Sequence, residues 1–344
     1  MAKEVCNLNK EFVIENAHGM KATFSNFGAR LVELMVPDRN GNCSNVVLGF
    51  DSHEEYLINV GNYFGATLGR VAGRISKSIF NGGDLSFQLM ANEGENHLHG
   101  GKENSFDRIF WSGKLSEDAG SQVVQFSFES KSEECEYPGD LSVTFTATLT
   151  NKNELIFEYS AITTLDTPVN LTNHIYWNLN DGGATSILNH ELQINSEKII
   201  KMDSQLLPVG GYLSCIESGL DFTQLRMIGQ SLPKNPTEPW PGIDNTFMLT
   251  EKTIGDLTEA AILYDSISGR KMTITTSEPS LQVYSANRLE NLKGRKGINY
   301  SQGNSICIET QRVIDNQALP DLQSIVLKPG GRYFHKTIHK FSIE

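Results

Sequence analysis

Cysteine is scarce and scattered in this chain. The 344 residues hold five, Cys6, Cys43, Cys135, Cys215 and Cys307, an odd number with no Cys-x-x-Cys pair. Such spacing speaks against a disulfide framework and for free thiols in a reducing cytoplasm. No apolar run is long enough to span a bilayer. The opening Met1-Ala2-Lys3-Glu4-Val5-Cys6 leads into no apolar stretch of the secretory type, so a cytoplasmic protein with no membrane partner is expected. Positive charge is in deficit, with 29 Lys and Arg against 41 Asp and Glu, a net charge of −12. That balance disfavours nucleic acid or an anionic membrane surface as partner and is silent about a neutral small molecule. A glycine-rich phosphate loop opening a helix is also missing, which weighs against nucleotide chemistry. Internal repeats, low-complexity tracts and linkers rich in Pro, Gly or Ser are absent. The length prior admits two domains, but one domain over 1–344 is the simpler expectation. With 39% apolar residues the chain is not a disordered one.

Helical periodicity is equally scarce. Ser52-His53-Glu54-Glu55-Tyr56 can start one short helix, with Ser52 as cap and Glu55 three residues on, and 221–225 can form another turn. The dominant period is two. In 141–149 every odd position is apolar and every even one is Ser or Thr. A turn at Asn151-Lys152-Asn153 follows, and Leu155, Phe157, Tyr159 and Ala161 resume the alternation, which predicts a half-buried antiparallel hairpin. Val124, Phe126 and Phe128 mark another strand, and Ser268-Gly269 separates the two halves of a second hairpin, 261–264 and 272–275. The chain ends in strand-like segments 324–327 and 333–341 around Pro329-Gly330-Gly331. Many short strands with turns between them predict an all-β fold, a large sandwich or barrel.

Against this background the run Asn96-His97-Leu98-His99-Gly100-Gly101 stands out, since the chain has only 8 histidines. It sets two proton-handling groups beside backbone that can approach a ligand closely. His174 lies in Asn170-Leu171-Thr172-Asn173-His174, and Glu309 in Cys307-Ile308-Glu309-Thr310-Gln311. Strand alternation places Asn170, Thr172, His174, Tyr176 and Asn178 opposite Val169, Leu171, Ile175, Trp177 and Leu179. The same rule sets Cys307, Glu309 and Gln311 against Ile306 and Ile308, and Gln282 and Tyr284 against Leu281 and Val283. A solvated outer face is the ordinary fate of such polar sets. Asn, Thr, His, Glu and Gln with almost no Lys, Arg or Asp instead suit a concave site able to hold a sugar. Gly65 to Ile75 carries Arg70 and Arg74 among small residues, where a guanidinium either forks onto a ligand oxygen or serves an ion pair. Asp244 follows Pro239-Trp240-Pro241-Gly242-Ile243; it is either a turn former or a carboxylate gripping sugar hydroxyls while Trp240 covers an apolar sugar face. Cys307 as a nucleophile lacks an evident base nearby in sequence. His18, His53, His190, His335 and His339 have no motif around them and read as ordinary surface or core residues.

Taken together, these runs resemble the aldose 1-epimerase family, the galactose mutarotases. The matching pieces stand in family order: Asn45 to Phe50, Tyr63-Phe64-Gly65-Ala66, Gly69-Arg70-Val71-Ala72-Gly73-Arg74-Ile75, His97-Leu98-His99-Gly100-Gly101 and Phe106-Asp107-Arg108 come first. Pro168 to His174, Gly242-Ile243-Asp244, Leu281-Gln282-Val283-Tyr284, Ile308-Glu309-Thr310-Gln311 and Pro329-Gly330 follow. The resemblance implies a large antiparallel β-sandwich with an open sugar groove and exchange of the α and β anomers of galactose or glucose, in a monomer or homodimer. It implies that Glu309 is the general base, His174 the general acid and His99 a hydrogen-bonding stabiliser, with Arg74, Asp244 and Gln282 binding the sugar. Gly73, Trp177, Arg312 and Gly331 depart from the commonest family pattern and bear on sugar preference.

Anomer exchange needs a proton taken from the C1 hydroxyl and one given to the ring oxygen. A carboxylate and an imidazolium suffice, so no cofactor and no metal are expected. Ordinary values of about 4.3 for Glu and about 6.5 for His make a carboxylate and an imidazolium the expected pair. Three other readings stand beside this one. His97, His99 and Glu103 have the spacing of a cupin-type metal site, with His174 as a further ligand. Asp244 and Glu309 can be the paired carboxylates of a glycoside hydrolase. A non-catalytic sugar-binding protein can use the same fold.

Overall fold

Alternation carries through to the architecture. The computed structural model describes residues 8–132, 136–232, 242–250, 255–314, 319, 322 and 324–344. Among the described residues 47% are in strands, and the three α-helices have six residues or fewer. The first hairpin pairs Leu141–Leu149 with Glu154–Thr163 from Leu141↔Thr163 to Leu149↔Leu155, as its pattern predicts. It lies within a nine-stranded antiparallel sheet in the order Ser112–Asp118, Ser121–Ser130, Leu141–Leu149, Glu154–Thr163, Tyr333–Ile343, Arg270–Thr276, Thr258–Tyr264, Glu191–Ile194 and Arg226–Met227. The C-terminal strand thus sits in the middle of the sheet, tying the two halves of the chain together.

Odd-numbered side chains of the hairpin point inward. Phe145 stacks on Tyr159 at 4.7 Å between ring centroids, and Phe24 from a four-stranded sheet closes over Phe126, Phe145 and Phe157 at 6.1–6.3 Å. Each buried Phe contributes about 1.5–3 kcal/mol through area removed from water. The expected helix is present at His53–Ile58, with a reciprocal capping box between Ser52 and Glu55. At 221–225 the chain turns without a helix; the Asp221 carboxylate accepts from the Thr223 amide and hydroxyl.

A five-stranded antiparallel sheet, in the order Pro208–Ser214, Lys198–Met202, Asp244–Met248, Ser280–Tyr284 and Cys307–Gln311, carries the polar sets. Phe247, Leu281, Val283, Ile306 and Ile308 join the same buried cluster as the hairpin residues. Their sequence neighbours turn the other way, toward a cleft.

The segment 169–179 departs from the expected alternating strand. Its one ladder is Thr172–Asn173 with Thr67–Leu68, Asn170 and Trp177 make only single bridges, to Val71 and to Val47 and Ile306, and 167–179 is buried throughout. Being enclosed on both sides, its polar groups are spent on backbone. Asn170 donates to the carbonyls of Ala72 and Arg312, and Asn178 to those of Thr185 and Asn304. Of the predicted polar set, His174 and Tyr176 reach the cleft. Among the described residues no helix is long and apolar enough to cross a membrane.

Candidate active site

Three neighbouring strands supply one wall of the cleft. Their register sets Thr246, Gln282 and Glu309 in one row across the sheet and Asp244, Tyr284 and Cys307 in the next. Strand periodicity puts both rows on one face, so residues 63 positions apart in sequence share a row. Gln282 is fixed by its partners: its amide Nε2 donates to Asp244 Oδ1 at 2.7 Å, and its Oε1 accepts from the Thr246 hydroxyl.

The opposite wall comes from segments earlier in the chain. His174 is held by its own backbone: its amide donates to Ala66 and its carbonyl accepts from Gly65, each at 2.9 Å. Gly65 has φ +64, and a Cβ there would run into the Leu31 carbonyl, which explains a glycine at this position. The His174 ring lies between Tyr63 and Tyr176, with interplanar angles of 25° and 24°. Its Nε2 stands 3.6 Å from Glu309 Oε1, and its Nδ1 3.5 Å from Cys307 Sγ. The second Glu309 oxygen, Oε2, is buried without a partner. Leaving such an acceptor unmet costs about 1–3 kcal/mol or more, so a ligand hydroxyl that meets it recovers that interaction.

His99 and Gly73 clasp each other. The His99 amide donates to the Gly73 carbonyl at 3.0 Å, and the Gly73 amide donates to His99 Nδ1 at 3.1 Å. Nδ1 is therefore an acceptor, and the neutral ring carries its proton on Nε2 as a donor. Arg74 donates through Nε and Nη2 to both oxygens of Glu93, at 2.6 and 2.8 Å, and Arg288 meets the same carboxylate at 3.1 Å. This pair stiffens Arg74 at the cleft. Arg70, by contrast, is fully buried and donates to the carbonyls of Ser130, Pro138 and Gly139, so it holds loops rather than ligand.

Burial sets the electrostatics. It pushes Glu309 up to about 8, with Asp244 adding to the rise and Arg74 opposing it. It pulls His174 down to about 4 and drives His99 well below its usual value, His174 and Arg74 adding to the latter. Asp244 is raised by the same burial, with Arg74 opposing. Burial thus works against the expected order of carboxylate beside imidazolium. Desolvation penalises both charged forms and so favours a protonated Glu309 beside a neutral His174.

The cleft gathers Arg74, His99, His174, Asp244, Gln282 and Glu309, every site residue expected from the sequence. His97 is elsewhere. Its Nδ1 meets the Met90 carbonyl and its Nε2 the Tyr137 hydroxyl, each at 2.8 Å, while Glu103 is on an exposed loop. With both ring nitrogens occupied, the His97, His99 and Glu103 metal reading is overturned. Among the described residues, the donors that approach within 4.8 Å of one another are His174, Cys307 and Glu309. Cys307 is no nucleophile: burial, then Glu309 and Asp244, raise its thiol well above 9, against the thiolate. Trp177 packs on His339 and Phe341 in the core and does not touch the cleft, so this departure does not bear on sugar preference. Arg312, paired with Glu278 at 3.2 Å, and Gly73 do line it. Trp240 lies outside the described residues, as do Cys6 and Cys135. Glu93, Arg288 and Tyr63 went unread as site residues. Glu93 sits in an ordinary-looking turn, and only the fold brings Arg288 across 195 positions to it.

The Aldose 1-epimerase family pattern matches residues 10–340. Galactose mutarotase of Bos taurus is 36% identical over 325 residues, covering 94% of this chain and 92% of the relative. Aldose 1-epimerase of Haemophilus influenzae is 30% identical over 337 residues, covering 95% and 94%. Among solved structures, the GalM/aldose epimerase homologue from C. elegans superposes with a TM-score of 0.87 at 29% identity, over 97% of this chain and 99% of that one.

Proposed function

The chain belongs to the aldose 1-epimerase family, and from that premise we propose that the cleft opens and recloses the ring of a free aldose, exchanging its α and β anomers, with D-galactose and D-glucose as substrates. The protein is an isomerase. The observation that carries this reading is the approach of Glu309 Oε1 to His174 Nε2 at 3.6 Å, beside an unpartnered Glu309 Oε2. The hydroxyl oxygen and the ring oxygen that must exchange protons share one carbon, C1, so their acid and base have to stand within a few ångströms of each other.

In ring opening Glu309 takes the C1 hydroxyl proton. The O–H electron pair forms the carbonyl, the C1–O bond to the ring breaks, and His174 gives a proton to the departing ring oxygen. After rotation about C1–C2 the steps reverse on the other face of the carbonyl. The closed sugar pairs with ionised Glu309 and protonated His174, the open sugar with protonated Glu309 and neutral His174. Burial favours the second state, so the ion pair is not held too firmly to give up its proton. His99 donates to a sugar oxygen through its Nε2 proton. Asp244 accepts from hydroxyls, Arg74 donates to them from its Glu93 brace, and Gln282 keeps one amide hydrogen for the sugar while it steadies Asp244. The three described cysteines carry free thiols, which suits a cytoplasmic enzyme.

Polarimetry of α-D-glucose and α-D-galactose tests the reading. Glu309→Gln and His174→Asn are each expected to lower the enzymatic rate by about 10²–10⁴-fold; rates near those of the unaltered protein would remove it.

A further inference from the structure

His174 has two ring nitrogens, each with one neighbour from a single strand. Cys307 and Glu309 are two apart on Cys307–Gln311 and point to the same side of it. Their spacing along the strand lays the imidazole across it, Nδ1 over the Cys307 sulfur at 3.5 Å and Nε2 toward Glu309 at 3.6 Å. The other groups around the ring are Tyr63 and Tyr176 on its two faces and His99 and Tyr284 at its edges. Stacked rings leave a flat side chain free to turn in its own plane; the contact at Nδ1 falls to the thiol.

We propose that Cys307 is the positioning residue of His174, its thiol fixing which nitrogen faces the sugar while leaving the ring free to hold or release a proton. The inference rests on the role given to His174 above. The nature of the partner carries it. A backbone carbonyl beside Nδ1 accepts only and would tie the ring to one tautomer. A carboxylate there would hold a lasting imidazolium and blunt its acidity. A thiol donates and accepts, both weakly. When Nδ1 is bare, the S–H donates to it and the proton of the neutral ring sits on Nε2. When His174 is imidazolium, the thiol turns and the sulfur accepts from Nδ1–H, a contact that persists after Nε2–H has gone to the ring oxygen. No bond to sulfur forms at any stage. Full burial beside Glu309 and Asp244 keeps the sulfur as a neutral thiol throughout, so it adds no charge to the pair.

Four variants, Cys307→Ala, Cys307→Val, Cys307→Ser and His174→Asn, are assayed by polarimetry from pH 5 to 9 and by ¹⁵N NMR of the His174 ring. Cys307→Ala and Cys307→Val should lower kcat about tenfold, move KM less than twofold, and shift both the pH limbs and the Nδ1 resonance. Cys307→Ser, which keeps a group that donates and accepts, should stay within about threefold of the unaltered enzyme. If Ala or Val leaves kcat, pH limbs and resonance unchanged while His174→Asn is inactive, Cys307 only fills space and the inference fails. A Ser variant as impaired as Ala also overturns it. Should Ala fail to fold, the bulkier Val decides. Full activity in His174→Asn would instead bring down the role of His174 itself.

Discussion

The strand pair Leu141–Leu149 and Glu154–Thr163 and the trio Asp244–Met248, Ser280–Tyr284 and Cys307–Gln311 obey the same alternation, yet their polar faces meet different fates. In the pair, Ser142, Thr144, Thr146 and Thr148 stay half-exposed on the outside of the sheet. In the trio, Gln282, Glu309 and Gln311 face a cleft that His174, Tyr63 and His99, from earlier in the chain, help to close. Periodicity alone does not make a site. What stands over the face does, because a roof excludes water and turns an ordinary carboxylate into one that gives up its proton reluctantly.

The sharpest break of this contrast removes the two groups the roof joins. Glu309→Gln and His174→Asn are expected to lose about 10²–10⁴-fold in anomer exchange, as set out above. Glu93→Gln comes next. It unpins Arg74 without touching acid or base, so KM should rise about tenfold with kcat within about threefold, measured by initial rates. Phe145→Ala acts on the other region. It should cost about 3–5 kcal/mol in denaturant unfolding while the folded fraction keeps the unaltered kcat. The last effect ties function to stability. Glu309 has its proton affinity raised from 4.5 to about 8, so the native state holds that proton where the unfolded chain releases it. The stability this confers is complete below about 4.5 and is lost as pH rises through about 8. Glu309→Gln escapes the loss, so its melting temperature should exceed that of the unaltered protein at pH 8 by more than at pH 5.

Much of this was legible in the residues. The hairpins were, since each strand has one buried and one open face and register follows from the pattern. So was the gathering of six residues at one cleft: His99, His174, Asp244 and Glu309 stand in distinctive runs, Arg74 among small residues and Gln282 on an alternating strand, while the roles proposed for them come from the family resemblance. The segment 169–179 was misjudged as a strand with a polar face: Asn170 and Asn178 are buried ties between loops, and a sequence does not show that both of its sides are covered. The state of the acid–base pair was hidden for the same reason, since solution values say nothing of desolvation. His97 and His99 make the point in miniature. Two positions apart, one is saturated by Met90 and Tyr137, while the other keeps Nε2 for the cleft because Gly73 occupies its Nδ1.

The central claim is that Glu309 and His174 share one proton in an order inverted by burial. The pH dependence of kcat/KM for mutarotation, with the uncatalysed rate subtracted, tests it most directly. Activity should hold level between about 4 and about 8 and fall above that as the pair loses its proton. A fall centred near 6.5, the ordinary histidine value, would show the two groups titrating as they do in water and would contradict the account.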